Sequence, residues 1–163
     1  MKDLLFREEE FVFSCRVGGV LVRDGKALLQ RHRGDYALVG GHVSALEEAK
    51  TALAREFREE LRADLRVGRL LAVGEVFFLW GDKPCHQLFL AFSAELADPG
   101  ELTREVFRGW DELGGERFDL EYCWVPLAEL DRIPLYPPQL KPVLRGECRE
   151  VLHFVYRETS NGT

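Results

Sequence analysis

Three glutamates, Glu56, Glu59 and Glu60, stand at spacings i, i+3 and i+4, the separations that bring side chains onto one patch of a helix. Carboxylates crowded in this way repel one another unless a cation sits between them. Hard divalent cations such as Mg²⁺ bind through carboxylate oxygens and complete their shells with water and substrate phosphates, so the trio is a candidate metal site for phosphate chemistry. The competing reading is a solvated face, the usual fate of a Glu-rich helix with interleaved Arg. Stepping the residues at roughly 100° each separates the two. Ala49, Leu53, Phe57 and Leu61 form the apolar stripe, and Thr51, Arg58 and Arg62 fall on the far side. Glu56 and Glu60 flank the direction of Ala49, and Glu59 lies next to Ala52 at the edge of the stripe. A helix that only needed solubility would carry glutamate where Arg58 stands.

The helix needs a frame to hold it. Ser44 followed by Glu47 is a capping-box pattern, which predicts a helix starting near Ala45 or Leu46. Upstream, residues 11–23 read as a strand, Asp24-Gly25 as a two-residue hairpin turn, and residues 26–31 as its partner. Residues 31–35 read as a polar loop leading to a short segment at 36–38. Downstream, apolar runs at 67–80 and 85–94 are separated by Gly81-Asp82-Lys83-Pro84. Residues 96–118 are polar and glycine-containing, which predicts an irregular stretch with one turn of helix near 101–108. A strand at 120–125, a helical turn at 127–130, a second helix opened by Pro137-Pro138 and running to about Leu144, and a strand at 151–156 complete the chain. Residues 158–163 read as a frayed tail. Strands interspersed with two principal helices predict an α/β fold with a mixed sheet between helical layers, in one domain spanning 1–163.

With 163 residues the chain suits one sizeable core. A net charge of −6 argues against nonspecific nucleic-acid binding. It also means that a polyanionic substrate would need a bound cation and local arginines. No run reaches the length of a membrane span, and the first ten residues turn acidic too soon for a signal peptide, so a cytoplasmic location is expected. Cys15, Cys85, Cys123 and Cys148 form no CxxC pair and read as buried free thiols. His86 and His153 lie in apolar strands and read as hydrogen-bonded core histidines.

Gly41, Glu47, Arg55, Glu56, Phe57, Glu59 and Glu60 match the pattern G-x5-E-x7-R-E-U-x-E-E-x-G-U, in which U is a bulky aliphatic or aromatic residue. By this box, at 41–63, the chain resembles the Nudix (MutT-like) hydrolase family. The resemblance continues outside it. Residues 16–31 look like the family's opening hairpin, Tyr36-Ala37-Leu38-Val39-Gly40-Gly41 is similar to its W-x-L-P-G-G run, and Trp124-Val125-Pro126-Leu127-Ala128-Glu129-Leu130 to its W-x-P-L-x-E-L segment. Val39 replaces a proline, and Ala63 stands where a larger apolar residue is usual. Arg62 replaces the final glycine, which normally supplies a left-handed C-cap, so the helix is expected to end differently or to run on a little.

The resemblance implies an α/β/α sandwich and a Mg²⁺-dependent hydrolase, with Mn²⁺ as a substitute. Its reaction would be water attack on phosphorus, cleaving the pyrophosphate bond of a nucleoside diphosphate linked to another moiety. It implies Glu56, Glu59, Glu60 and the Gly41 carbonyl as metal ligands, Glu59 or Glu56 as the group that polarises water, and Arg55 as the residue that orients box glutamates. Glu47 is read both as a site residue and as half of a capping box. Arg31 and Arg33, with His32 between them, are candidates to grip phosphate, against the alternative of a solvated turn. A later-loop glutamate is expected at Glu116 or Glu121, with Glu105 and Glu112 as rivals. Phe77, Phe78, Trp80 and Trp110 are read as stacking partners for a base or, for the Phe pair, as alternating core residues. Tyr36 is read as core. Two other functions stay open: a nucleotide sensor without turnover, and an isoprenoid diphosphate isomerase using Cys85 or Cys123. The expected partner is a small nucleotide-type diphosphate, with neither nucleic acid nor membrane, and the resemblance is compatible with a homodimer.

Overall fold

A computed structural model describes residues 2–113 and 116–159. In order along the chain, its strands are β1 (Leu5–Arg7), β2 (Val12–Val20), β3 (Val22–Arg23), β4 (Lys26–His32) and β5 (Asp35–His42). Helix α1 (Ala49–Leu61) follows, then β6 (Leu65–Trp80), β7 (Lys83–Leu96), β8 (Val106–Leu113) and β9 (Glu116–Pro126). A 3₁₀ turn (Leu127–Arg132), α2 (Leu140–Leu144) and β10 (Leu152–Arg157) close it. All ten strands join one mixed sheet in the order β10-β6-β7-β2-β5-β4-β9-β8, with β1 added beside β2 and β3 beside β4. Pairs β2–β7 and β10–β6 are parallel, and the others antiparallel.

Period-2 alternation sends the apolar side chains of these strands to opposite faces, and each face has its own core. Val17, Val39 and Tyr122 pack with Leu53 and Phe57 of α1 on one face. Leu29, Leu38, Ala91 and Phe154 pack with Leu140 and Val143 of α2 on the other. The protein is an α/β/α sandwich, as its sequence predicts. Leu53 and Phe57 are both fully buried, and burial of that order stabilises by about 1.5–3 kcal/mol per side chain. Among the described residues, no helix is long and apolar enough to cross a membrane.

Several elements differ from expectation. Residues 31–35 are a tight hairpin, because Arg33 and Gly34 take φ of 51° and 86° and turn β4 directly into β5. Asp24 and Gly25, at 51° and 74°, form the predicted turn of the same kind. The stretch read as irregular holds β8, which pairs with β9 from Val106–Cys123 to Leu113–Glu116. An edge strand has one neighbour and a solvated face, so its sequence carries weak alternation. His86 and His153 are exposed, and neither is a core histidine: His86 packs against Phe77, and Nε2 of His153 lies 2.8 Å from Glu75 Oε2. The cysteines are free thiols, three of them buried and Cys148 half-buried. Residues 160–163 of the expected tail lie outside the described residues.

The start of α1 is also corrected. Leu46 is fully exposed with φ of 68°, so residues 44–47 form a turn ahead of the helix, which begins at Ala49. Its end is where a glycine would have put it. Arg62 adopts the left-handed conformation itself (φ 55°, ψ 31°), and its N–H donates to the Arg58 carbonyl at 3.1 Å. The next residue, Ala63, is buried against the helix end, which holds the turn in place. A left-handed L-residue costs roughly 1–2 kcal/mol, part of which glycine regains at the cost of chain entropy. Arg62→Gly is therefore expected to stabilise the protein by about 0.5–1 kcal/mol, read as an increase of roughly 2–4 °C in Tm by calorimetry.

Candidate active site

Strand β5 ends in Gly40-Gly41-His42, and α1 crosses its face. A Cβ built on Gly41 would come within 2.5 Å of Glu56 Oε2 and 2.7 Å of Oε1, so only glycine lets that carboxylate lie against the strand backbone. The Gly41 main chain and the Glu56 carboxylate therefore share one small space, as a joint ligand pair requires.

Arg55 organises what surrounds it. Its Nε and Nη2 donate to Glu47 Oε2 and Oε1 at 2.8 and 2.9 Å, a bidentate pair. Nη1 donates to Glu56 Oε1 at 2.8 Å and Glu59 Oε2 at 3.3 Å, and Nη2 also reaches the His42 carbonyl at 3.1 Å. The Glu47 side chain is only 5% exposed and that of Glu56 13%, whereas Glu59 stands 60% exposed at the rim rather than against the apolar stripe. The two readings of Glu47 both hold in part. Its Oε1 accepts from the Ser44 N–H at 3.1 Å, but the Ser44 hydroxyl turns to Asp3 and does not cap the helix.

Glu60 is held from the sheet side. The hydroxyl of fully buried Tyr122 donates to its Oε2 at 3.1 Å, and its carboxyl neighbours that of Glu56. Burial pushes the Glu56 carboxyl above the usual range and Glu59 adds to this, while Arg55 and Glu60 act against it. Glu47 goes the other way, held below the usual range chiefly by its bonds to Arg55. Two neighbouring carboxyls beside a third at the rim form a donor set that a proton or a cation stabilises. Among the described residues, no three carboxylate, imidazole or thiol groups converge as a closed cage, since the Arg55 guanidinium lies between them. Mg²⁺ does not need one: it takes one or two carboxylates and keeps water and substrate phosphates for the rest. The residues present fit such an ion.

The structure brings Gly41, Glu47, Arg55, Glu56, Glu59 and Glu60 together. The other expected residues lie elsewhere. Arg31 donates from Nε to Glu121 Oε2 at 2.9 Å and from Nη1 to the Tyr36 hydroxyl at 3.3 Å, which holds Glu121 low. Arg31, His32, Arg33, Arg108, Asp119 and Glu121 line a cavity of about 630 Å³. It extends to Gly109, where a Cβ would stand 3.7 Å from the Glu60 carbonyl oxygen. Glu116 starts β9 opposite Leu113, at the far end of the hairpin, and Glu105 pairs with Lys26 at 3.6 Å. Two neighbours escape sequence reasoning. Tyr122 is 62 residues from the glutamate that it holds, and no spacing rule connects them. His42 is buried, and burial together with Arg16 and Arg7 lowers its pKa to about 3, so it is neutral at ordinary pH.

His32 also lines a second cavity of about 290 Å³, whose walls include Tyr36, Phe78, Tyr136 and Tyr156 with the amides of Gln30 and Gln87. Tyr36, read as core, packs half-buried against the core on the α2 side and also borders this cavity.

Residues 14–146 match the sequence model of the NUDIX domain. Solved structures with the same fold include a NUDIX hydrolase from Nitrosomonas europaea, 20% identical, with a TM-score of 0.59 over 89% of this chain and 79% of that one. A MutT NUDIX hydrolase from Burkholderia pseudomallei is 25% identical, with a TM-score of 0.55 over 82% and 96%. An ADP-ribose pyrophosphatase from Streptococcus suis is 18% identical, with a TM-score of 0.51 over 88% and 98%.

Proposed function

From the premise that the chain belongs to the NUDIX domain family, we propose that it is a Mg²⁺-dependent hydrolase of a nucleoside diphosphate linked to another moiety. The observation that carries this reading is the Glu56 carboxylate seated on the bare backbone of Gly41, with Glu60 beside it and Arg55 bridging to Glu47 and Glu59. Members of the family generally use divalent metal ions. Glu56, Glu59, Glu60 and the Gly41 carbonyl are the groups that would hold Mg²⁺ here. When bound, the ion offsets phosphate charge and lowers the pKa of attacking water.

The chain's own side chains do the rest. Arg55 holds the box carboxylates in place, and Glu47 fixes Arg55 through two bonds. Glu59, exposed at the rim, is the carboxylate positioned to accept a proton from water. Arg33 and Arg108 line the larger cavity with Arg31 and supply cations for the diphosphate, with Glu121 setting the direction of Arg31. The aromatic cavity that adjoins it at His32 suits the planar, apolar half of a nucleoside, by stacking and by the two amides.

The rival readings have less support. A sensor without turnover would be expected to have lost a box glutamate or Arg55, and none of these is missing. An isomerase needs a reactive thiol, but Cys85 and Cys123 are buried, their pKa values are raised by burial, and Cys123 packs in the core opposite α1.

The test is product release from a panel of nucleoside diphosphates and triphosphates, sugar nucleotides and dinucleoside polyphosphates, with Mg²⁺ or Mn²⁺. Cleavage of a linked diphosphate into two phosphorylated halves is expected, with loss of turnover in Glu59→Gln. Tight nucleotide binding without any turnover would point to the sensor.

A further inference from the structure

Gln87 stands in the wall of the aromatic cavity with its amide held one way round. Strands β2 and β7 run in parallel with Ser14 opposite Gln87, and Val76 of β6 and Tyr156 of β10 continue the row. Residues paired in register share a face, here the one that carries α2, and Gln87, Val76 and Tyr156 all border the cavity. Gln87 is only 8% exposed and Ser14 is fully buried, and the Gln87 Nε2 donates to the Ser14 Oγ at 3.0 Å. The Cys85 sulfur lies beside the Ser14 hydroxyl and offers its proton an acceptor, which leaves the Oγ lone pairs to the amide. An amide bonded through its nitrogen turns its oxygen the other way. Oε1 has no partner among the described residues and is not one of the polar atoms sealed from water, so it meets the cavity as an acceptor.

The carboxylates of this wall act in the same sense. Among the described residues, Asp35 and Glu158 border the cavity without an ion-pair partner, and no Lys or Arg lines it. A phosphate group is repelled here, whereas Arg31, Arg33 and Arg108 line the larger cavity that shares His32. A nucleotide therefore enters base first. We propose that the cavity selects a nucleobase carrying an exocyclic amino group, with Gln87 Oε1 accepting a hydrogen bond from it. The inference rests on the reading that this cavity holds the base of the substrate. Adenine, guanine and cytosine carry such a group on the ring edge, whereas uracil and thymine carry carbonyl oxygens on either side of one N–H. A carbonyl set against a fixed acceptor leaves both without a proton to share, and a site built to hydrogen-bond one group rejects the analogue that lacks it. A freely turning glutamine would serve either kind of base, since its amide offers donors on one side and an acceptor on the other. Ser14 removes that freedom.

The test is isothermal titration calorimetry of the full chain with nucleoside 5′-monophosphates. These have no pyrophosphate bond to cleave, so binding is read apart from turnover. Pairs that differ only in the amino group decide it: guanosine against inosine monophosphate, and adenosine against purine riboside monophosphate. In at least one pair the amino-bearing member should bind the unaltered protein at least about tenfold more tightly, and that pair identifies the base. Gln87→Leu should abolish the preference by weakening that member alone. Ser14→Ala, at a residue that does not border the cavity, should narrow the preference too, because the amide is then free to turn. Equal binding within both pairs, or a preference that Gln87→Leu leaves intact, would overturn the proposal while leaving the cavity as a base site. Failure of every monophosphate to bind, or binding that Tyr156→Ala does not weaken, would overturn the reading of the cavity itself and the proposal with it.

Discussion

Glu60→Gln is expected to lower turnover by on the order of 10²–10³-fold, while leaving the cation-free protein at least as stable as the original. The substitution keeps the shape of the side chain and an oxygen for the Tyr122 hydroxyl, which sits 3.1 Å from Glu60 Oε2. It removes one of two neighbouring acidic groups, since the Glu60 carboxyl lies beside that of Glu56. Without a cation, that pairing is at best neutral and like-charge contacts of this kind destabilise by roughly 0.2–0.5 kcal/mol, so stability should hold or rise. With a cation, a charged ligand is missing. Losing a group that only supports a metal ligand typically costs about 10–100-fold, and losing one electrostatic contact to the transition state about 10²–10³-fold. Urea unfolding in chelator and steady-state kinetics in Mg²⁺ are the two measurements. An acidic patch with no role in binding would show the same small stability change and no change in rate.

Arg55→Ala should damage both stability and activity. As a lone i, i+4 partner of Glu59, Arg55 would be worth only about 0.2–0.5 kcal/mol. Its bidentate bond to Glu47, a side chain 5% exposed, is a different matter. Removing one member of a buried pair leaves a desolvated charge behind, and with Arg55 itself a quarter exposed the loss is about 2–3 kcal/mol. The loss should depend on pH in a definite sense. The Glu47 carboxyl is held below its usual range, mainly by Arg55, so its contribution is fully present above the unfolded-state value and fades as pH falls through the lower folded value. The stability gap between Arg55→Ala and the original protein should therefore be widest near neutrality and shrink in acid. Activity should fall further than stability explains, because Glu56 would lose the cation that opposes its raised pKa and would hold its proton more firmly. Denaturation series at several pH values, with rates measured where both proteins remain folded, separate the two effects.

What could be read in advance divides by range. The box residues meet as their spacing requires, because a helix turns i, i+3 and i+4 into neighbours whatever surrounds it. The glycine before the helix was legible only through the family resemblance, since the collision of a Cβ there with the Glu56 carboxylate shows once β5 and α1 are placed together. Places where distant strands supply the context were not legible. Tyr122 reaches Glu60 only because β9 lies in the layer under α1, and Arg31 meets Glu121 only because β4 pairs with β9. The capping pattern at Ser44 and Glu47 misled because Asp3 competes for the serine and Arg55 for the glutamate, and the positive φ of Leu46 then delays the helix. Strand β8 was missed because an edge strand with a glycine and alternating charges carries little periodicity. His86 and His153 were misread because the sheet extends beyond α1 and leaves that part of its face in water.

The most direct test of the central claim is the rate of linked-diphosphate hydrolysis by chelator-stripped protein as Mg²⁺ is added back. Rates should be at background without the ion and rise with a saturable dependence. Gly41→Ala, in which a methyl group would displace the Glu56 carboxylate, should shift that curve to much higher Mg²⁺ or abolish it. Full turnover in chelator, or a curve that Gly41→Ala leaves unmoved, would contradict a metal-dependent site built on Gly41 and the box carboxylates.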